Sequence, residues 1–143
     1  MISYVTYNPE NGEIRQFSKT SGKTPIVCGN DDYLIVSGQV DVGRSYVDTN
    51  LMAIKARPEL PLVIDKHEIS ADGVDAAIIS LPDTDPNGAG VMVFVKIGED
   101  RFQITDGVLE FSTIDPGTHQ LFFSGTNYLD AVVEITAHEV PEA

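Results

Sequence analysis

The stretch Glu68–Ile79, EISADGVDAAII, decides the fold. Glu68–Ala71 is extended in character, Asp72-Gly73 supplies a tight turn, and Val74–Leu81 resumes as an apolar run. Asp-Gly is a favoured turn pair because Gly takes positive φ without steric cost, while Asp bonds the local backbone. The reading is strand, turn, strand, and the same grammar repeats on both sides.

Downstream, Asp75–Leu81 (DAAIISL) is a mostly apolar strand and Pro82–Gly90 a long turn. Val91–Ile97 (VMVFVKI) is the most hydrophobic strand in the chain. Arg101–Thr105, Val108–Phe111, Thr118–Ser124 and Ala131–Ala137 follow, separated by Gly98-Glu99-Asp100, Asp106-Gly107, Asp115-Pro116-Gly117 and Gly125–Asp130. Counted from Leu62, this makes seven or eight short strands spaced roughly eight to twelve residues apart, the pattern of a β-sandwich. Within VMVFVKI, alternation sends Val91, Val93 and Val95 one way and Met92, Phe94 and Lys96 the other. Both sides are apolar until Lys96, so alternation alone leaves the core face open. An apolar outer face here reads as an interface, or as a strand covered on both sides.

Upstream, Met1–Tyr7 alternates with β-branched and aromatic residues, and Glu13–Ser18 (EIRQFS) alternates again. The two form a predicted hairpin with Asn11-Gly12 at its positive-φ positions. Ile26–Gly29, Tyr33–Val36, Gln39–Val42, Arg44–Val47 and Leu51–Ala56 are short runs bounded by Gly, Asp or Asn, as in a β-meander. Pro58 and Pro61, in RPELP (57–61), enforce an extended, poorly paired backbone and mark a boundary. The expected fold is all-β, with a β-hairpin or small antiparallel sheet over 1–58 and a sandwich over 59–143.

Composition limits the function. At 143 residues with 42% hydrophobic content, the chain has enough apolar mass for a core. Its net charge is −13, from 22 acidic against 9 basic residues. Nucleic-acid affinity rests on Lys and Arg displacing counterions, so such a surface repels phosphate backbones, and it disfavours anionic membranes equally. The expected partners include neither. A single cysteine, Cys28 in the apolar segment IVCG, permits no intrachain disulfide and fits assembly in a cytoplasm. No run reaches the ~18 apolar residues of a membrane span. MISYVTYNPENG lacks the basic start and apolar core of a signal peptide.

Chemistry-bearing patterns are sparse. Ser21-Gly22-Lys23-Thr24 looks like the tail of a phosphate-binding loop, but the leading Gly is replaced by Phe17 and Pro25 opposes the helix that must follow. Asp83-Thr84-Asp85-Pro86-Asn87-Gly88 places Asp83, Asp85 and Asn87 at calcium-loop spacing. The closing bidentate Glu is replaced by Phe94, so this is a weak calcium candidate beside the plainer reading of a polar strand connection. His67, His119 and His138 lack paired metal-ligand spacing. Nothing places Cys28 near His119 or His138 for a dyad, and no G-x-S-x-G elbow occurs. Tyr4, Tyr7, Tyr33, Tyr46 and Tyr128 offer rings for stacking on sugars, yet Trp is absent and Tyr4 and Tyr7 fall on opposite strand faces. The expectation is a protein without catalysis, cofactor or dedicated metal.

Read in order, IKARPELPLVID, EISADGVDAAIISLP, FQITDGVLEF, DPGTHQLFFSG and YLDAVVEITA cover about Ile54 to Ala137. The order and spacing of these pieces resemble small phage virion proteins, mostly tail-associated, that carry a C-terminal bacterial or phage immunoglobulin-like module. YNPENGEI (7–14) and YLIVSGQVDVGRSYVD (33–48) resemble the front end of the same proteins. The resemblance implies an Ig-like sandwich over 59–143. It also implies a structural or accessory role in a virion assembled in the host cytoplasm, with other virion proteins and further copies of the chain as partners. The edge strands of residues 1–58 are the expected attachment surface, since a short hairpin buries little alone. A capsid decoration protein and a host-surface carbohydrate- or receptor-binding module are the alternatives. The Asp83–Gly90 insert departs from the pattern, and the Cys–Trp–Cys core of antibody domains is absent.

Overall fold

The computed structural model describes residues 2–21 and 25–141; the SGKT string at 21–24 therefore falls largely outside the described residues. All regular structure among them is β. The chain divides into two compact units. The first comprises Met1–Pro58 together with two later excursions, Thr84–Gly90 and Thr126–Leu129. The second comprises Glu59–Asp83, Val91–Gly125 and Asp130–Ala143. The division after Pro58 falls in the proline pair. The two excursions differ from the expectation that everything after residue 58 serves the sandwich.

In the first unit, β1 (Ile2–Tyr7) is the centre of a three-stranded antiparallel sheet between β2 (Ile14–Thr20) and β3 (Asp32–Val36). Val5 pairs with Phe17 on one side and Leu34 on the other, so all three share a face. That face carries the unit's core, where Val5, Tyr7, Ile14 and Val47 are buried together and Phe17, Leu34 and Ile54 pack on them. Val47 comes from β4 (Ser45–Asp48), which forms a separate hairpin with β5 (Ala53–Ala56). The predicted meander is thus two small sheets, and Gln39–Val42 is not a strand. In the β1–β2 turn Gly12 has φ +76, but Asn11 is not among the positive-φ residues. Asn11 and Asn8 instead cap the turn with their side-chain oxygens, accepting from the N–H groups of Glu13 and Glu10 at 2.9 Å each.

The second unit is an Ig-like β-sandwich. One sheet has five strands in the order β10 (Asp100–Ile104), β9 (Val93–Ile97), β12 (Gly117–Gly125), β13 (Ala131–His138), β7 (Glu68–Ser70). The other has three, in the order β11 (Val108–Phe111), β8 (Ala77–Ser80), β6 (Val63–Ile64). The chain crosses between the sheets at β6–β7, β7–β8, β8–β9, β10–β11 and β11–β12, so most sequence neighbours are not hydrogen-bonded neighbours. Alternate residues point inward: Val93, Val95, Leu121, Phe123, Val133 and Ile135 are all buried on the five-stranded side. This settles the face of VMVFVKI. The valines line the core and Phe94 and Lys96 face out, while Val91 and Met92 precede the strand.

EISADGVDAAII is divided between the two sheets. Glu68–Ser70 pairs in parallel with β13, whereas Ala77–Ser80 pairs with β11 and β6. The connection is longer than a two-residue turn because carboxylates hold it. Asp72 accepts from the N–H groups of Val74 and Asp75, and Asp75 accepts from Ser70 N–H and from Lys66. Gly73, at φ +77, makes the bend. These contacts keep Val74–Ala76 out of the strand.

The same contacts make the bend acid-sensitive. Lys66 foremost, with Ser70 N–H, holds the Asp75 carboxyl below its usual 3.8, and the backbone N–H groups of Asp75 and Val74 do the same for Asp72. A carboxyl with a depressed folded pKa contributes stability that is complete above the unfolded value and is lost as pH falls through the folded one. The urea midpoint is therefore expected to fall as pH drops below about 3.8, and less steeply in Asp75→Asn than in the wild type. Parallel urea titrations across acid pH check this; identical pH profiles would remove Asp75 from the account.

Candidate interaction surface

Each sequence-predicted site residue has a definite place. Asp85 is buried in the first unit, and its Oδ1 accepts from Asn87 N–H at 2.8 Å and Ala89 N–H at 3.0 Å. Asn87 donates through Nδ2 to the carbonyls of Asn11 (2.7 Å) and Val47 (2.8 Å), and its Oδ1 accepts from Thr49 N–H at 3.1 Å. These oxygens are committed to N–H donors, so the loop works as a structural plug in the first unit. Asp83 belongs to the second unit, where it lines a groove with Leu81, Ile104 and Asp106. Among the described residues no three His, Cys, Asp or Glu side chains converge as metal ligands.

The remaining candidates are dispersed. Cys28 is exposed in the first unit, and the three histidines are all in the second. His119 packs its ring on Phe111 at 5.5 Å and bonds the Asp115 carbonyl at 2.8 Å; His138 meets Glu68 at 3.0 Å. Four of the five tyrosines (Tyr4, Tyr7, Tyr46 and Tyr128) are buried, leaving only Tyr33 exposed. Their hydroxyls serve the fold: Tyr128 donates to the Thr84 carbonyl at 2.8 Å, and Tyr4 accepts from Ile26 N–H at 3.3 Å.

The surface that stands out is the outer face of the five-stranded sheet. Register fixes its rows. Phe122 on β12 sits opposite Lys96 on β9 and Val132 on β13, and Arg101 on β10 sits opposite Lys96. One row across four strands therefore reads Arg101, Lys96, Phe122, Val132. In the next row Phe94 lies opposite Ser124. Phe122 is 44% exposed and Val132 55%. Arg101 lies over the Phe94 ring, 4.3 Å from its centroid, a cation–π contact. Phe94, Phe122, Val132, Lys96, Arg101 and Asp130 together line a shallow groove of about 330 Å³. Beyond it the face turns polar, where Gln120 donates to Glu134 at 3.2 Å and Thr118 bonds Thr136 at 3.2 Å. Sequence reading flagged the apolar outer side of VMVFVKI but not Phe122 or Val132. Their exposure follows from alternation once Leu121, Phe123 and Val133 are known to face the core.

No family model and no curated protein matches the chain. Among solved structures it is similar to a glycosyl hydrolase family 2 member from Bacteroides cellulosilyticus, at 16% identity and TM-score 0.42, over 97% of this chain and 22% of that one. It is likewise similar to a beta-glycosidase from Bacteroides vulgatus, at 12% identity and TM-score 0.33, over 94% of this chain and 21% of that one. The chain thus spans about a fifth of the length of the structures it matches.

Proposed function

We propose that this chain is a structural or accessory subunit of a phage virion, in the tail, and that it acts by packing its Ig-like unit against neighbouring protein rather than by catalysis. The observation that carries the packing role is the outer face of the five-stranded sheet. Two large apolar side chains, Phe122 and Val132, are half exposed there side by side, next to Lys96 and Arg101. Apolar strips rimmed by charge mark protein interaction sites on otherwise polar surfaces. The placement in a particle rests on the likeness of residues 54–137 to virion proteins, and a capsid decoration role belongs to the same class. The carbohydrate-binding alternative loses support from the burial of Tyr4, Tyr7, Tyr46 and Tyr128, which leaves few rings to stack on a sugar.

The decisive experiment is immunogold labelling and mass spectrometry of purified particles. The chain is expected in stoichiometric, multi-copy amounts at the tail. Finding it only free in the lysate overturns the reading.

A further inference from the structure

We infer that the outer face of the five-stranded sheet closes against the same face of a second copy of this chain, about a two-fold axis parallel to β12. The inference deepens the packing role proposed above, and rests on it, by naming the partner.

The argument begins with the distribution of charge on the face. Lys96 and Arg101 occupy its β9–β10 side. They make no ion pair among the described residues, in a chain that carries 22 acidic side chains. Glu134 on β13 and Asp130, just before it, occupy the opposite side, with Phe122 on the central strand between the two pairs. The face thus carries its cations on the β9–β10 side and carboxylates on the β13 side, with Phe122 between the two sides and Val132 between Asp130 and Glu134. A purely acidic foreign partner would complement the first side and be repelled by the second. A second copy complements both.

Symmetry selects the arrangement. When two identical faces meet about an axis parallel to their central strands, the β9–β10 side of each copy lies over the β13 side of the other. Lys96 of each copy then lies over Val132 of the other, between the Asp130 and Glu134 that flank it on the same strand, with Arg101 on the outer side of Lys96, and the pairing occurs twice. The Phe122 rings meet near the axis, at the ~10 Å separation of packed sheets. An in-plane axis perpendicular to the strands instead places β9 over β9 and Lys96 over Lys96. With a net charge of −13, the chain repels itself in most other orientations, so this face, where Lys96 and Arg101 accompany the carboxylates, is a place where self-contact is less opposed.

The test uses the full chain and sedimentation velocity with native mass spectrometry across the micromolar range. The wild type is expected to dimerise, and Phe122→Asp to weaken the dimer by at least about 30-fold. Lys96→Glu/Arg101→Glu and Asp130→Lys/Glu134→Lys are each expected to be monomeric alone, with circular dichroism of the wild-type kind, and to form a heterodimer when mixed. A wild type that stays monomeric, or charge-swapped chains that fail to associate on mixing, overturns the inference. The outcome is separable from that of the particle experiment. A monomeric chain found in purified tails removes only the two-fold dimer, whereas a dimer absent from particles removes only the virion role.

Discussion

A fragment ending at Pro58 is expected to remain unfolded in isolation, although it contains all five strands of the first unit. The reason is the plug supplied by Thr84–Gly90 and Thr126–Leu129. The carbonyl of Asn11 accepts from Asn87 Nδ2 at 2.7 Å and from Asn127 Nδ2 at 2.6 Å; the Val47 carbonyl and Thr49 N–H also depend on Asn87. Val47 is fully buried, so water does not replace those partners without opening the core. The fragment's residual core, built on Val5, Tyr7, Ile14 and Val47, is small for a chain of this length, which makes the loss decisive. A graded version acts on the intact chain. Asn87→Ala removes three hydrogen bonds and leaves the Val47 carbonyl and Thr49 N–H without this partner, while the Asn11 carbonyl keeps Asn127, at an expected cost of about 2–4 kcal/mol. Asn87→Asp keeps the oxygen for Thr49 but aims a carboxylate at two carbonyls, and should be no better. Circular dichroism of the fragment and urea melts of the variants check this. A cooperatively folding 1–58 fragment, or an Asn87→Asp chain as stable as the wild type, would refute it.

Gly12→Ala is the second large effect. Gly12 is buried at φ +76, a left-handed conformation that costs an L-residue about 1–2 kcal/mol. A methyl group there would overlap the Val47 carbonyl oxygen and approach Asn87 Nδ2 to 2.5 Å. Neither neighbour yields easily, because the same carbonyl and amide are bonded to each other and Gly12 O accepts from Val47 N–H at 2.9 Å. The expected destabilisation is on the order of 4 kcal/mol, at the upper end for a single substitution. Gly88→Ala is the matched control: its φ is +85 but nothing lies within 4 Å of the added carbon, so only the conformational cost of roughly 1 kcal/mol remains. Denaturant unfolding of the two variants should separate strain from overlap, and equal losses would show that the Val47 contact is not the cause.

What the sequence determined by itself was the class of fold and the place of most strands, though not always their ends. β12 and β13 fall within a residue or two of THQLFFS and AVVEITA. These features are local: alternation with a period of two and the punctuation by Gly, Pro and Asp act on neighbours in the chain. Tertiary structure alone decided which strands pair. EIS and AIIS, a few residues apart, lie in different sheets, and Glu68–Ser70 runs parallel to a strand some 65 residues later. An Asp-Gly bend has the same composition whether the chain folds back on itself or crosses to another layer. Its course is set here by a distant partner, β13, that no local pattern encodes. The recruitment of Asn87 and Asn127 into the first unit, and the exposure of Phe122 beside Lys96, follow from the same long-range pairing. A strand's neighbours, rather than its own residues, determine which loop fills a gap and which face is left for a partner.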